Sequence, residues 1–273
     1  MKTWLITGVS RGLGLALAQA ALARGDTVIG TVRAGTPDLA AAPGALHLLT
    51  LDMADAQAVP AAIDQAFALA GAIDVIVNNA GYGLLGAIET ATDEEVARLF
   101  EVDFFAPFRL IRTALPHLRA QGRGHIINVT SIAGRAPGAG SGLYAAAKFA
   151  LEGLSASLAQ EVAPIGVHVT AVAPGAFRTD FLSGHSIRKS SAAAGDYDAS
   201  VGKAAQAFDG MAGRQLGDPA RAAEAILAVV DAETPPRQLL LGSDALRRAR
   251  ERLDVQIAEM DAWDAVTRAT DHA

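Results

Sequence analysis

Thr3-Trp4-Leu5-Ile6-Thr7-Gly8-Val9-Ser10-Arg11-Gly12-Leu13-Gly14 opens the chain and decides its fold class. The short apolar run Thr3–Thr7 reads as a β-strand. It meets a glycine-rich turn. Behind the turn, Gly12–Arg24 reads as a helix with Leu13, Leu15, Leu17 and Leu22, closed by Gly25. Glycine at that point is the usual left-handed helix stop. The glycines are spaced G-x-x-x-G-x-G, not in the common G-x-G-x-x-G pattern. Such a turn lets backbone approach a pyrophosphate, and the helix behind it offers unpaired N–H groups and a partial positive charge. It serves tight helix–strand packing equally well, so the turn alone leaves both readings open.

Working outward, the same rhythm continues. Thr27–Arg33, Leu46–Leu51, Asp74–Asn78, His125–Thr130, Val167–Val172 and Gln238–Leu241 read as further strands. Ala56–Ala70, Asp93–Gln121 and Tyr144–Ala163 read as helices, with Pro107 and Pro116 expected to kink or end the second. Val75-Ile76-Val77 is a continuous apolar run, the mark of a strand buried on both faces of a parallel sheet. Seven strands with intervening helices predict an α/β, doubly wound, mostly parallel sheet with helices on both faces. A single domain over residues 1–273 is expected. Two segments break the rhythm. Ser183–Gly217, rich in Ser, Ala and Gly, is expected to be a substrate lid. The tail, at about 243–270, reads as a charged helix on which Leu246, Leu253, Ile257, Met260 and Trp263 form a partial apolar stripe.

Composition bounds the partners. The 273 residues carry 23 Lys+Arg against 29 Asp+Glu, a net charge of −6, which argues against a nucleic-acid surface. Half the chain is apolar (51%), but 60 residues are Ala, so small-residue packing contributes much of it. The absence of Cys excludes disulfides, thiolate metal sites and a Cys nucleophile. No run approaches the ~18 apolar residues of a membrane span, and the apolar start is too short for a signal peptide. A cytoplasmic protein that meets no membrane is expected.

The end of the second strand is informative. A dinucleotide fold reads the adenosine ribose there, where an acid would accept from the 2′-hydroxyl and repel a 2′-phosphate. This strand ends Thr31-Val32-Arg33. Arg33 offers a fork for phosphate, and Arg11 in the glycine turn is a second cation. Both residues predict NADP(H), although both also read as ordinary surface arginines. Asp52, after the third strand, is a candidate adenine contact or a helix cap.

Ser131, Tyr144 and Lys148 carry the chemistry. Tyr144 and Lys148 stand at i, i+4 and share a helix face. Ser131 follows a strand at the carboxyl edge, where α/β sheets place ligands. Delivering hydride to a carbonyl leaves an alkoxide that must be protonated. A phenol with its ordinary pKa of ~10 is a poor proton carrier at neutral pH. A nearby ammonium, with the cationic nicotinamide of the oxidised cofactor, would lower that value, and a serine hydroxyl can donate to the same oxygen.

Together, Thr7–Gly14, Asn78-Asn79-Ala80-Gly81, Ser131 with Tyr144-Ala-Ala-Ala-Lys148, and Pro174-Gly175 with Thr179 resemble the short-chain dehydrogenases/reductases. The resemblance spans Thr3 to Leu241 in family order and spacing. The tail is similar to a bacterial subgroup likened to 17β-hydroxysteroid dehydrogenases. The resemblance implies a Rossmann-like fold and direct hydride transfer without metal, interconverting a secondary alcohol and a ketone or aldehyde. It implies Tyr144 as general acid/base, Lys148 on the nicotinamide ribose and lowering the Tyr144 pKa, and Ser131 polarising the carbonyl. Gly8, Ser10, Arg11, Gly12, Leu13 and Gly14 would wrap the phosphates. Asn79 with Ala80 and Gly81 would hold the sheet and a cofactor ribose. Pro174, Gly175 and Thr179 would seat the nicotinamide. Homodimers or homotetramers are usual. There is one departure: where the family often has an Asn completing a catalytic tetrad, this chain has Asp103, which adds a negative charge near Lys148. A catalytically silent cofactor sensor and a cofactor-independent lyase are the alternatives. The intact trio speaks against the first and the intact glycine turn against the second. An S-adenosylmethionine methyltransferase would leave the Tyr–Lys spacing unexplained. Tyr82, Phe177, Phe181, Tyr197 and Phe208 suggest an apolar substrate pocket. His185, Arg188 and Lys189 could meet a polar substrate group but read better as solvated lid residues.

Overall fold

A computed structural model describes residues 1–39, 42–182, 186–190, 195–211 and 213–272. Seven strands form one sheet: β1 (Thr3–Thr7), β2 (Thr27–Val32), β3 (Leu46–Thr50), β4 (Val75–Asn78), β6 (Gly124–Val129), β7 (Val167–Pro174) and β9 (Gln238–Leu241). Their order is β3-β2-β1-β4-β6-β7-β9, and every pairing is parallel. The expected doubly wound sheet is therefore fully parallel.

The alternation of β1 shows why two helical layers form. Trp4 and Ile6 point to one face, where α1 (Gly12–Ala23) and α7 (Pro219–Asp231) bury Leu17, Ala21, Leu22, Ile226 and Val230 against them. Leu5 points to the other face, with α2 (Ala58–Ala70), α4 (Ala106–Gln121) and α5 (Gly142–Val162) supplying Ile63, Phe67, Leu110, Leu118 and Leu158. Both faces are apolar, as right-handed crossovers require.

The chain runs outward from β1 to β3 and then returns to β4 on the other side of β1. That reversal opens a crevice at the carboxyl ends of β1 and β4, the usual ligand position in such sheets.

The expected Asp93–Gln121 helix is interrupted. α3 (Asp93–Phe100), capped by Thr92 and Glu95, passes into a π-helical turn at Glu101–Phe105 before α4 begins. Pro107 stands in the first turn of α4 and has no N–H for the carbonyl four residues back. The helix widens just ahead of it, while Pro116 lies inside α4 without ending it.

A second, two-stranded parallel sheet was not expected. It pairs β5 (Gly83–Leu85) with β8 (Ile187–Lys189). Beyond it, α6 (Lys203–Met211) lies within the expected lid. Residues 183–185, 191–194 and 212 of that segment, His185 among them, lie outside the described residues. The tail forms α8 (Ser243–Ala262) and a short α9 (Asp264–Arg268). Among the described residues, no helix is long and apolar enough to cross a membrane.

Candidate active site

Two loops meet at the β1–β4 crevice. Thr7 Oγ1 accepts from the Asn79 and Ala80 amides, both at 3.0 Å, and donates to Val77 O. Asn79 Nδ2 donates back to Thr7 O at 2.9 Å and to Gly8 O at 3.1 Å. Asn79 thus clamps the turn instead of facing outward with its amide. Gly8 and Gly12 have φ of 75° and 60°, a region glycine enters without a Cβ penalty. A Cβ on Gly14 would come within 2.3 Å of Asn79 Nδ2 and Gly8 O. Arg11 makes no side-chain capping bond at the head of α1 and the first turn holds no acid, so its leading N–H groups face the glycine turn. These features fit a dinucleotide's phosphates.

The segment after β7 closes the same crevice. Gly175 N donates to Leu241 O, and Asp244 Oδ2 accepts from Ala176 N at 2.8 Å. A Cβ on Gly175 would strike Asp244. Thr179 Cβ stands 3.5 Å from where a Gly12 Cβ would be, so Pro174–Thr179 abuts the glycine turn. Asp244 was not singled out from sequence; its position just after a Gly242 of φ 96°, at the start of a helix, was the available signal.

Arg33 is exposed at the end of β2, on the same edge, and Arg11 lies at the start of α1. Ser10 and Leu13 lie within the same turn and first helical turn. Asp52 accepts from Ala54 N at 2.9 Å, bracing a tight turn. The cap of the following helix is a different residue: Asp55 Oδ1 accepts from Gln57 N and Ala58 N.

α5 carries Tyr144 and Lys148 on its buried face. Ser131 begins a short 3₁₀ turn after β6, its Oγ accepting from Ala133 N at 3.1 Å, and stands beside the Tyr144 phenol. Lys148 Nζ donates to Val129 O at 3.2 Å and lies 5.7 Å from the Tyr144 ring centre. All three residues converge at the carboxyl end of β6.

The π turn completes the group. It turns Asp103, 0% exposed, toward α5, where Oδ2 stands 3.1 Å from Lys148 Nζ. Oδ1 accepts from Tyr82 N at 3.1 Å. The Oδ2 contact is a close ion pair without the direction of a good hydrogen bond. Gly81 is small for this reason, since its Cβ would come within 3.0 Å of Asp103 Oδ2.

The charges are balanced differently from what the Tyr–Lys spacing implies. Burial pushes the Tyr144 phenol up, Lys148 pulls it down, and Asp103 and the Ser131 hydroxyl then act in opposite directions; the net shift is upward. The expected lowering by Lys148 is present but outweighed. Burial would depress the Lys148 ammonium, yet Asp103 and Tyr144 hold it above its ordinary value. Lys148 therefore stays charged.

Around the trio, Leu84, Leu99, Ala133 and Ala145 form an apolar cluster with Tyr144, and Phe181 lies 6.1 Å from its ring. Tyr82 packs against the cluster, with the Arg188 guanidinium 5.3 Å from its ring centre. Lys189 pairs with Asp209 at 2.9 Å. The Tyr197 hydroxyl donates to Glu89 at 2.6 Å. Phe208 is half-buried on α6. Phe177 covers Gly217 and lines a cleft of about 700 Å³ with Arg178, Leu216 and Leu241, whose lining does not include Tyr144. Behind α5, Thr130 and Arg135 both bond the buried Glu152, a network that nothing in the sequence pattern announced.

Residues 2–189 match the family model of the short chain dehydrogenase. A 3-ketodihydrosphingosine reductase of Bacteroides thetaiotaomicron is 34% identical over 87% of this chain and 87% of its own. The crystal structure of a short-chain dehydrogenase from Streptomyces avermitilis is 42% identical and superposes with a TM-score of 0.92, covering 99% of this chain and 100% of that one. A metagenomic short-chain oxidoreductase, solved in complex with NADP, is 27% identical at a TM-score of 0.69, over 88% of this chain and 96% of that one.

Proposed function

The chain belongs to the short-chain dehydrogenase family and is an oxidoreductase, and from that premise we propose that it interconverts a secondary alcohol and an apolar ketone or aldehyde with NADP(H). The observation that carries this reading is the convergence of Ser131, Tyr144 and Lys148 beside the glycine turn. When bound, the dinucleotide supplies or accepts the hydride. Gly8, Ser10, Arg11, Gly12, Leu13 and Gly14 would hold its phosphates, with Asp52, Ala80 and Gly81 near the adenine and ribose. Pro174, Gly175 and Thr179 would border the nicotinamide. Arg33 would face the 2′-phosphate, and the choice of NADP(H) is supported by the NADP complex of the metagenomic relative.

The chain's own groups do the proton work. In reduction, Tyr144 donates its phenolic proton to the carbonyl oxygen, and Ser131 donates a hydrogen bond to the same oxygen. The phenolate left behind sits beside the Lys148 ammonium, which stabilises it. Asp103 holds that ammonium in its charged form and in place. In the opposite direction Tyr144 takes the alcohol proton. Burial excludes water from the phenol, and the Leu84, Leu99 and Phe181 side chains favour an apolar substrate.

Replacing Tyr144 with Phe tests the reading, since the ring packing is kept and only the hydroxyl is lost. With NADPH and a panel of apolar ketones, kcat should fall by ~10²-fold or more, the usual contribution of a general acid. NADPH binding, read by fluorescence, should persist. Wild-type turnover in this variant would refute the assignment.

A further inference from the structure

The last twenty described residues of the molecule all lie on its surface. In α8 only Ala245 and Ala249 are buried, and every residue from Leu253 to His272 is exposed. The helix runs about 20 Å past Ala249 at 1.5 Å per residue. Its root is fixed, because Arg248 donates to Ala136 O, in the loop that follows Ser131.

The projecting part is not built for water alone. Leu246, Leu253, Ile257 and Met260 fall within about 60° of one another around the helix. Leu253, Ile257 and Met260 are 56%, 51% and 63% exposed, and Trp263 and Val266 extend the apolar surface into α9. A continuous apolar strip of this size marks a contact surface.

Charge identifies the occupant. Arg247, Arg248, Arg250 and Arg252 lie in the first half of α8, and Asp254, Glu259, Asp261 and Asp264 in or just after the second. Arg250 and Asp261 lie on one flank of the strip, about 50–70° from its middle. The pair is symmetric about a point between Val255 and Gln256. Two helices laid antiparallel, with a two-fold axis through that point, bring Arg250 of each copy against Asp261 of the other. A parallel arrangement would oppose arginine to arginine. Helices that lie on membranes carry a basic polar face, whereas half of this face is acidic.

We propose that the outer half of α8 is a self-recognition surface, on which the Leu253-Ile257-Met260 strip of one copy lies antiparallel against that of a second copy of this chain. The interface is isologous, as closed two-fold contacts are. It also carries α9 of each copy to the root of the other's α8, beside the Ala136 loop.

The natural absence of Cys makes the test direct. Gln256→Cys lies beside the proposed axis, and Val255→Cys points to the opposite side of the helix. With a short bismaleimide, Gln256→Cys should form a covalent dimer and Val255→Cys should not. Equal cross-linking of both, or none of either, overturns the proposal. Leu253→Asp with Ile257→Asp should halve the mass in sedimentation at micromolar concentration, with helix content unchanged; an unchanged mass overturns it. Arg250→Glu should weaken self-association by about tenfold, and adding Asp261→Arg should restore it. Failure of the double reversal to restore association refutes the antiparallel register. Vesicles of phosphatidylcholine and phosphatidylglycerol should leave the protein in solution; co-sedimentation that Leu253→Asp abolishes would assign the strip to a lipid surface instead.

Discussion

Asp103 has no exposed surface and holds two things at once: the Tyr82 amide on Oδ1 and the Lys148 ammonium on Oδ2. Its effect on the neighbouring phenol is unfavourable to ionisation, since its charge and the burial of Tyr144 both raise that pKa. Asp103→Asn keeps an oxygen for Tyr82 N and removes the charge. Tyr144 then loses a repelling anion, so its ionisation becomes easier. Alcohol oxidation needs the ionised phenol, so the rising limb of kcat/KM against pH should move to lower pH in the variant. An unmoved limb would mean that Asp103 has no electrostatic hold on Tyr144. Arg33 makes the second prediction at this scale. A charge-assisted hydrogen bond contributes about 1.5–3 kcal/mol. Arg33→Ala should therefore weaken NADPH by roughly ten- to hundredfold while NADH, lacking the phosphate, barely changes. Equal loss for both cofactors in kcat/KM would show that Arg33 does not read the phosphate.

Among the elements, the β1–α1 turn has the least room for change. Gly14→Ala places a methyl group 2.3 Å from Gly8 O and Asn79 Nδ2, atoms held by the Thr7–Asn79 clamp. Overpacking of that kind costs about 1–3 kcal/mol. NADPH affinity and urea stability should both fall, whereas Gly138→Ala, with open space around it, should change neither. The β1–turn–α1 unit was readable because strand, glycines and helix period occur in sequence, and the buried strands were readable from runs such as Val75-Ile76-Val77. The π turn was not, because a five-residue widening preserves the helical period and Pro107 reports only the start of α4. Nor was β5–β8: its strands have three residues each and pair across a hundred positions, leaving no local pattern. For the candidate site, spacing put Tyr144 and Lys148 on one face. It could not tell that burial would outweigh Lys148 at the phenol, because burial depends on Leu84 and Leu99 from other segments.

At the scale of the whole molecule, His125 couples the fold to pH. It is buried at the start of β6, its Nε2 2.9 Å from Thr170 Oγ1, whose own proton goes to Pro236 O. Burial, then the nearby His168 and Lys2, push its pKa down to about 3. The unfolded chain takes up this proton near pH 6.5 and the folded chain refuses it. The contribution to stability is therefore intact above pH 6.5 and declines as pH falls toward 3. Between pH 6.5 and 4.5, urea unfolding should lose up to about 1.4 kcal/mol per pH unit through this group. His125→Gln should flatten that slope, and an unchanged slope would show that His125 is not its source. The strand order has a consequence of another kind, for synthesis on the ribosome. β1 leaves first and ends in the middle of the sheet. β2 then pairs with β1, β3 with β2, β4 with β1, β6 with β4, β7 with β6 and β9 with β7. Each strand emerges to find its partner already made and standing at an open edge. No strand of this sheet has to be threaded between two that are already joined. The nascent chain can therefore enlarge a correct partial sheet at every stage, and by the time β4 has appeared the glycine turn already has Asn79 to hold it.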